Sequence, residues 1–127
     1  MAERPWEIDG MPLSRGDIVL VPHAPFSNQT QTKARPALVL STVEFNRSQA
    51  DVVCAAISSQ IRPEDPHRVD ILEGSSAFPS TGLKRTSCVK CAAVFAYRAA
   101  LIQRRLGRAT DPTMVEVSTV LRRILGL

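Results

Sequence analysis

Apolar residues in this chain fall in short runs broken by Pro, Gly and polar clusters, and only at the end do they recur at helical spacing. Ile18-Val19-Leu20-Val21 is a continuous run stopped by Pro22. Ala37-Leu38-Val39-Leu40 and Val52-Val53-Cys54-Ala55-Ala56-Ile57 are of the same kind. Runs this short and rich in β-branched residues predict central strands, because the branched side chains fit a pleated surface and crowd a helix. Arg68-Val69-Asp70-Ile71-Leu72 alternates polar and apolar, as a half-exposed strand does, and Cys88-Val89-Lys90-Cys91-Ala92-Ala93-Val94-Phe95 follows a loop containing Gly82. Five strands without a helix recurring between them predict an all-β sheet or small barrel rather than a parallel α/β fold.

The two ends differ. Residues 1–13 hold charged residues, two prolines and the only Trp, which predicts an irregular arm leading into a turn at Ser14-Arg15-Gly16-Asp17. The remainder, 14–127, reads as one domain. At the other end Asp111 is a candidate N-cap with Pro112 at the first helical position, and Val117, Leu121 and Ile124 share a face with Met114 and Val120. Arg122 and Arg123 suit the negative end of a helix and Gly126 is a stop signal. The apolar stripe of this helix packs either on the barrel or on a partner.

Composition narrows the class. A chain of 127 residues that is 44% hydrophobic and 22% charged can bury one core and is far from a disordered composition. Sixteen Lys and Arg against twelve Asp and Glu leave a formal charge of +4, which favours a polyanionic partner. No apolar stretch has the length of a membrane span and the start does not resemble a signal peptide, so the expected location is the cytoplasm and no membrane partner is expected. Three cysteines, an odd number, argue for reduced thiols over a disulfide framework.

Arg15-Gly16-Asp17-Ile18-Val19-Leu20-Val21-Pro22, followed by a polar loop and then Lys33-Ala34-Arg35-Pro36-Ala37-Leu38-Val39-Leu40-Ser41, resembles the opening of the MazF/PemK/Kid family of toxins. Ala55-Ala56-Ile57-Ser58-Ser59-Gln60-Ile61 is similar to that family's second motif and Gly82-Leu83-Lys84-Arg85-Thr86-Ser87-Cys88-Val89-Lys90 to its third. Arg104-Arg105-Leu106-Gly107-Arg108 and the capped helix match its usual ending. The resemblance spans residues 14–127. It implies a mainly β fold, an SH3-like small barrel with a C-terminal helix of the CcdB/PemK-like type, and a homodimer. It further implies a metal-independent endoribonuclease that cuts single-stranded RNA without a cofactor, held in check by an antitoxin with an acidic, partly disordered segment.

RNA carries its own nucleophile, so such an enzyme need only accept the 2′-hydroxyl proton, stabilise the anionic phosphorane and return a proton to the leaving 5′-oxygen. The products are a 2′,3′-cyclic phosphate and a 5′-hydroxyl. Arg35 matches the family's catalytic arginine, whose planar fork suits phosphate oxygens. Ser58 stands where the family usually has threonine, keeping the hydroxyl donor but not the methyl that restricts its rotamer. Gln60 either reads a base edge or is solvated. In one branch of the family the third motif supplies a basic residue and, two positions on, an aspartate; here the stretch is Lys90-Cys91-Ala92. The basic residue is present and the carboxylate is not, so either Arg35 shuttles the proton or another group does. Asn28, Gln29, Thr30 and Lys33 in the polar loop, with Gln60 and Lys90, are the candidate RNA contacts.

Three features read as structural. His23 substitutes for an aromatic beside the loop and His67 is a loop residue. Cys88 and Cys91 are three apart on an expected strand and so point to opposite faces, which opposes a shared metal. The alternative to a nuclease is a binding module of the same fold, either a gyrase-binding toxin or a degenerate, inactive member.

Overall fold

The computed structural model describes residues 4–22 and 33–127. Asn28, Gln29 and Thr30 of the polar loop lie outside them, as do His23 and Phe26. The elements run β1 (Glu7–Ile8), β2 (Met11–Pro12), β3 (Asp17–Val21), β4 (Arg35–Val39), α1 (Val43–Ser48), β5 (Asp51–Ser58), β6 (Arg68–Ile71), β7 (Ser87–Arg98), β8 (Arg104–Arg108) and α2 (Asp111–Leu125). Six strands form one antiparallel sheet in the order β6-β7-β5-β4-β3-β8, with β1 and β2 paired as a separate hairpin.

All five expected strands are present, and the fold is mainly β with a C-terminal helix. The sixth, β8, has a single large apolar residue, Leu106, and pairs only with β3 at the edge of the sheet, so no hydrophobic pattern could announce it. The arm contains the β1–β2 hairpin rather than irregular chain alone. Asp9 and Gly10 between the strands both have positive φ, 54° and 77°, the requirement of a tight two-residue hairpin loop that Asp-Gly meets well. The cap of α2 is Thr110 rather than Asp111: the Thr110 hydroxyl accepts the Thr113 N–H at 3.4 Å, and Asp111 becomes the first helical residue, where its charge suits the helix N-terminus.

The curl of the sheet comes from β7. Its pairing with β5 steps from Val94 opposite Ala55 to Lys90 opposite Ala56, which leaves Cys91, Ala92 and Ala93 extra on β7 alone. Such an insertion bends a strand and raises its twist. The long segment after β6 then returns to β8. Its turn at Pro79–Thr81 lays Gly82 against the Leu106 carbonyl and brings the Ser80 and Thr81 backbone against Gly107, while the Ser80 hydroxyl donates to the Arg108 carbonyl at 2.8 Å. Only glycine fits at 82 and 107, because a Cβ at either would meet backbone atoms.

Two cores lie on the two faces. One joins Ile18, Leu38, Ile57, Val69, Ile71 and Val89 to Val117 and Val120 of α2, so the helix stripe packs on its own sheet. The other joins Val19, Val21, Ala37, Val39, Val52 and Cys54 to Leu13, Ala99 and Ile102, with Ile8 of the hairpin beside them. The arm is thus a lid on the second core. Arg105 holds it there, donating to the Pro12 carbonyl at 2.9 Å and to those of Met11 and Ile8 at 3.2 and 3.4 Å.

Candidate functional site

Arg35 is the first residue of β4 and Ser58 the last of β5, both half-buried. The β4–β5 ladder pairs Ala37 with Ala56. Continued by two residues along each strand, this register sets Arg35 at the level of Ser58 and on the same face, since side chains alternate with period two. Lys90 pairs with Ala56 and Cys88 with Ser58, so Lys90 is the diagonal neighbour of Ser58, also half-buried. Residues facing each other on adjacent strands stand about 5 Å apart and diagonal ones about 7–8 Å, close enough for long side chains to meet over one ligand. Carried beyond its last observed pair, the register thus directs Arg35, Ser58 and Lys90 to one face at the open end of β4 and β5.

The Ser58 hydroxyl accepts the Gln60 N–H at 3.0 Å and turns its own hydrogen to the Gln60 carbonyl over a long 3.5 Å. The accepted bond holds Oγ in place, a role the missing threonine methyl would otherwise share. The outgoing bond is long and readily exchanged for a better acceptor. Gln60 thus contributes its backbone to the serine, while the residue as a whole is exposed. Lys33 is exposed two residues before β4.

Arg68 and Asp70, which the sequence marked only as strand residues, lie on the same face across β7: Arg68 pairs with Lys90 and Asp70 with Cys88. Arg68 is a clip for its own loop. Its guanidinium donates to the Pro63 and Asp65 carbonyls at 2.8 and 2.9 Å and to Asp70 at 3.0 Å. Asp70 stands two strands from Ser58, on the order of 10 Å by strand spacing. Ala92, where one family branch has its carboxylate, is exposed in the bend of β7.

The cysteines are buried and separate. Cys91 belongs to the core under α2 whereas Cys88, three residues away, faces the other side of the sheet. Burial pushes the Cys54 thiol up to about 12 and the Cys91 thiol up to about 11, and raises that of Cys88 with Asp70 adding to the effect. Thiols so held in the neutral form are poor nucleophiles and ligands. Among the described residues no group of three His, Cys, Asp or Glu could hold a metal ion.

Among the described residues, two depressions bear on the site. The larger, about 470 Å³, lies between β6 and the start of α2 and is lined by Asp65, Asp70 and Glu116 with Arg68, so its charge does not suit a polyanion. The smaller, about 320 Å³, lies between the hairpin arm and the 99–102 segment.

A curled six-stranded antiparallel sheet with a C-terminal helix packed on one face defines a small, mainly β protein. Residues 14–125 match the family described as PemK-like, MazF-like toxins of type II toxin-antitoxin systems, and the chain belongs to that family. Among solved structures, an endoribonuclease from a mycobacterial species in complex with its cognate antitoxin is similar with a TM-score of 0.68 at 24% identity, over 90% of this chain and 95% of that one. A second mycobacterial endoribonuclease gives 0.65 at 25% identity over 90% and 91%. MazF from Deinococcus radiodurans gives 0.70 at 21% identity over 90% and 96%. A comparison with curated proteins finds no match. Among the described residues no helix is long and apolar enough to cross a membrane.

Proposed function

We propose that this toxin is a metal-independent endoribonuclease for single-stranded RNA. The observation that supports the proposal is the β4–β5 register, which pairs Ala37 with Ala56 and, carried two residues further, brings Arg35 and Ser58 to one level with Lys90 on the diagonal. A phosphate seated over this row meets a fixed guanidinium fork, a hydroxyl donor and an ammonium. The substrate's 2′-hydroxyl attacks, Arg35 and Ser58 stabilise the phosphorane, and the products are a 2′,3′-cyclic phosphate and a 5′-hydroxyl. With Ala92 in place of a carboxylate, either Arg35 shuttles the proton, giving one to the leaving 5′-oxygen as it takes one from the 2′-hydroxyl so that its charge is unchanged, or a group outside this row accepts it and another returns one to the 5′-oxygen. The family and the mycobacterial endoribonucleases of like fold support the class.

The working unit is a homodimer. The antitoxin lays an acidic, partly disordered segment over Arg35 and competes with RNA for the same field. Lys33, Gln60 and the loop residues Asn28, Gln29 and Thr30 contact the RNA around the cleaved bond. The test is cleavage of single-stranded RNA by the purified chain in EDTA. Intact cutting is expected, with loss of cutting when the 2′-hydroxyl at the cleaved position is replaced by hydrogen. Activity that vanishes in chelator and returns with one divalent ion would refute the proposal.

One observation favours a second reading, a binding module. The Ser58 hydroxyl already accepts from the N–H of Gln60 and donates to its carbonyl, as a purely structural strand-end serine does. RNA binding without cutting would select it.

A further inference from the structure

The depression beside the arm joins an apolar floor to two opposite charges. Its apolar surfaces come from Pro5, Ile8, Ala99, Ala100 and Ile102, and its charged groups are Arg4 and Glu7. Next to it Trp6 carries a guanidinium on its ring from each of two elements, Arg47 of α1 at 5.3 Å and Arg4 of the arm at 5.9 Å from the ring centroid. Arg4 also lies 3.6 Å from Glu7, and Arg4 and Arg47 are exposed. Guanidiniums stacked on an aromatic keep their N–H edges available for phosphate.

The location matters as much as the composition. Ile8, Ala99 and Ile102 belong to the core on the same sheet face as Ala37 and Cys54, hence the face of Arg35 and Ser58. The Gln103 N–H donates to the Leu20 carbonyl at 2.9 Å, which sets Ile102 beside the end of β3, and Val21 at that end pairs with Arg35. The Ile102 edge of the depression thus lies about two strand spacings, on the order of 10 Å, from the arginine. The depression extends from there toward Ala99, whose N–H donates to the Ala50 carbonyl at 3.0 Å, at the end of β5 away from Ser58.

Resting on the ribonuclease reading, we propose that the N-terminal arm builds an accessory nucleotide subsite for the same RNA. A base several steps from the cleaved bond lies on Ala99, Ala100 and Ile102. The Glu7 carboxylate accepts from an exocyclic amino group on that base, as carboxylates do from cytosine. Arg4 and Arg47 take the flanking phosphates. The arm precedes the residues that match the toxin family, whereas Arg47, Ala99, Ala100 and Ile102 lie within them.

The experiment compares the full chain with the double variant Arg4→Ala/Arg47→Ala and with Ala100→Leu, which fills the depression and leaves both arginines. Substrates are a long single-stranded RNA containing the site found by sequencing 5′ ends, and the same site trimmed to its immediate neighbours. On the long RNA both variants should raise KM by about tenfold with kcat unchanged, and on the trimmed RNA neither should change KM. The double variant should also flatten the dependence of log KM on log salt by about 1.4, the loss of two single-strand phosphate contacts. Equal KM on the long RNA, or equal losses on both substrates, would overturn the subsite. So would unchanged KM with weakened binding of an acidic antitoxin segment. If the unaltered chain does not cut at all, the ribonuclease reading fails on its own. Anisotropy with the long RNA then decides the subsite: weaker binding by both variants supports it and equal binding ends it.

Discussion

The seam between β3 and β8 and the open end of the β4–β5 ladder both gather basic side chains on one sheet, and they differ in what stands beside them. At the seam, the Asp17 carboxylate is 5% exposed and lies 2.8 Å from Arg108 and 3.2 Å from Arg105, and it also accepts the Ser14 N–H at 2.9 Å. Arg105 completes its donors on three carbonyls of the arm. Charge there is matched and saturated, and its product is an attached lid. At the open end, the register directs Arg35 and Lys90 to one face with a hydroxyl, and Asp70, the carboxylate in register with Cys88 on β7, is held by Arg68. A formal charge of +4 is therefore a poor guide to the site, because much of the arginine content is structural.

The largest effect that separates the two regions is on rate. Arg35→Ala removes both charge and a donor fork from an anionic transition state and should lower kcat by roughly a thousandfold, about 4 kcal/mol, with the melting curve unmoved. Full toxicity of this variant in cells would end the distinction. Asp17→Asn should do the reverse. It leaves Arg105 facing a neutral group, so stability should fall by about 3 kcal/mol, the lower end for breaking a buried pair because Arg108 is half exposed. Urea unfolding reads the loss. Cutting per folded molecule should stay the same, and a kcat effect at low temperature would show that the seam reaches the site.

How far the sequence revealed these regions follows from what each depends on. The central strands were legible because burial on both faces demands continuous apolar runs, as in Ile18-Val19-Leu20-Val21. The edge strand β8 was not. Its charged residues are there to meet Asp17 and the arm, contacts made 88 to 97 positions away in sequence. The hairpin had a local signal, Asp9-Gly10 between apolar residues, outweighed by the prolines around it. Arg35 and Ser58 emerged through family motifs alone; nothing in spacing brings them to one level, and that relation follows only when the register of Ala37 with Ala56 is carried two residues further. Arg68 shows the converse, a basic residue whose alternating strand gave no sign that it clips its own loop.

Ser58 sharpens the comparison at intermediate size. Ser58→Ala should lower kcat by roughly a hundredfold, about 2.7 kcal/mol, by removing one donor to the phosphorane, and KM should change little. Ser58→Thr should lie within a few-fold of the unaltered chain, because the Gln60 N–H already fixes the oxygen that the methyl would help to orient. A hydroxyl with only a local structural role would show the opposite signature: Ser58→Ala lowers the melting temperature and leaves kcat alone.

The smallest effect tests whether proximity to the patch is enough to make a cation functional. Lys90 and Arg68 are paired in register on neighbouring strands and lie on the same face. Arg68 donates to three carbonyls and a carboxylate, whereas no salt bridge engages Lys90 among the described residues. If Lys90 meets a phosphate next to the cleaved one, Lys90→Gln should raise KM a few-fold and flatten the dependence of log KM on log salt by about 0.7, one single-strand contact, with kcat intact. Arg68→Gln should leave that slope unchanged while lowering stability, since it frees loop carbonyls rather than a phosphate. Equal slopes in the two variants would mean that the clip is also an RNA contact. A fall in kcat for Lys90→Gln at constant KM would place its ammonium on the transition state instead, assigning a catalytic share to the basic residue of a motif that has lost its aspartate.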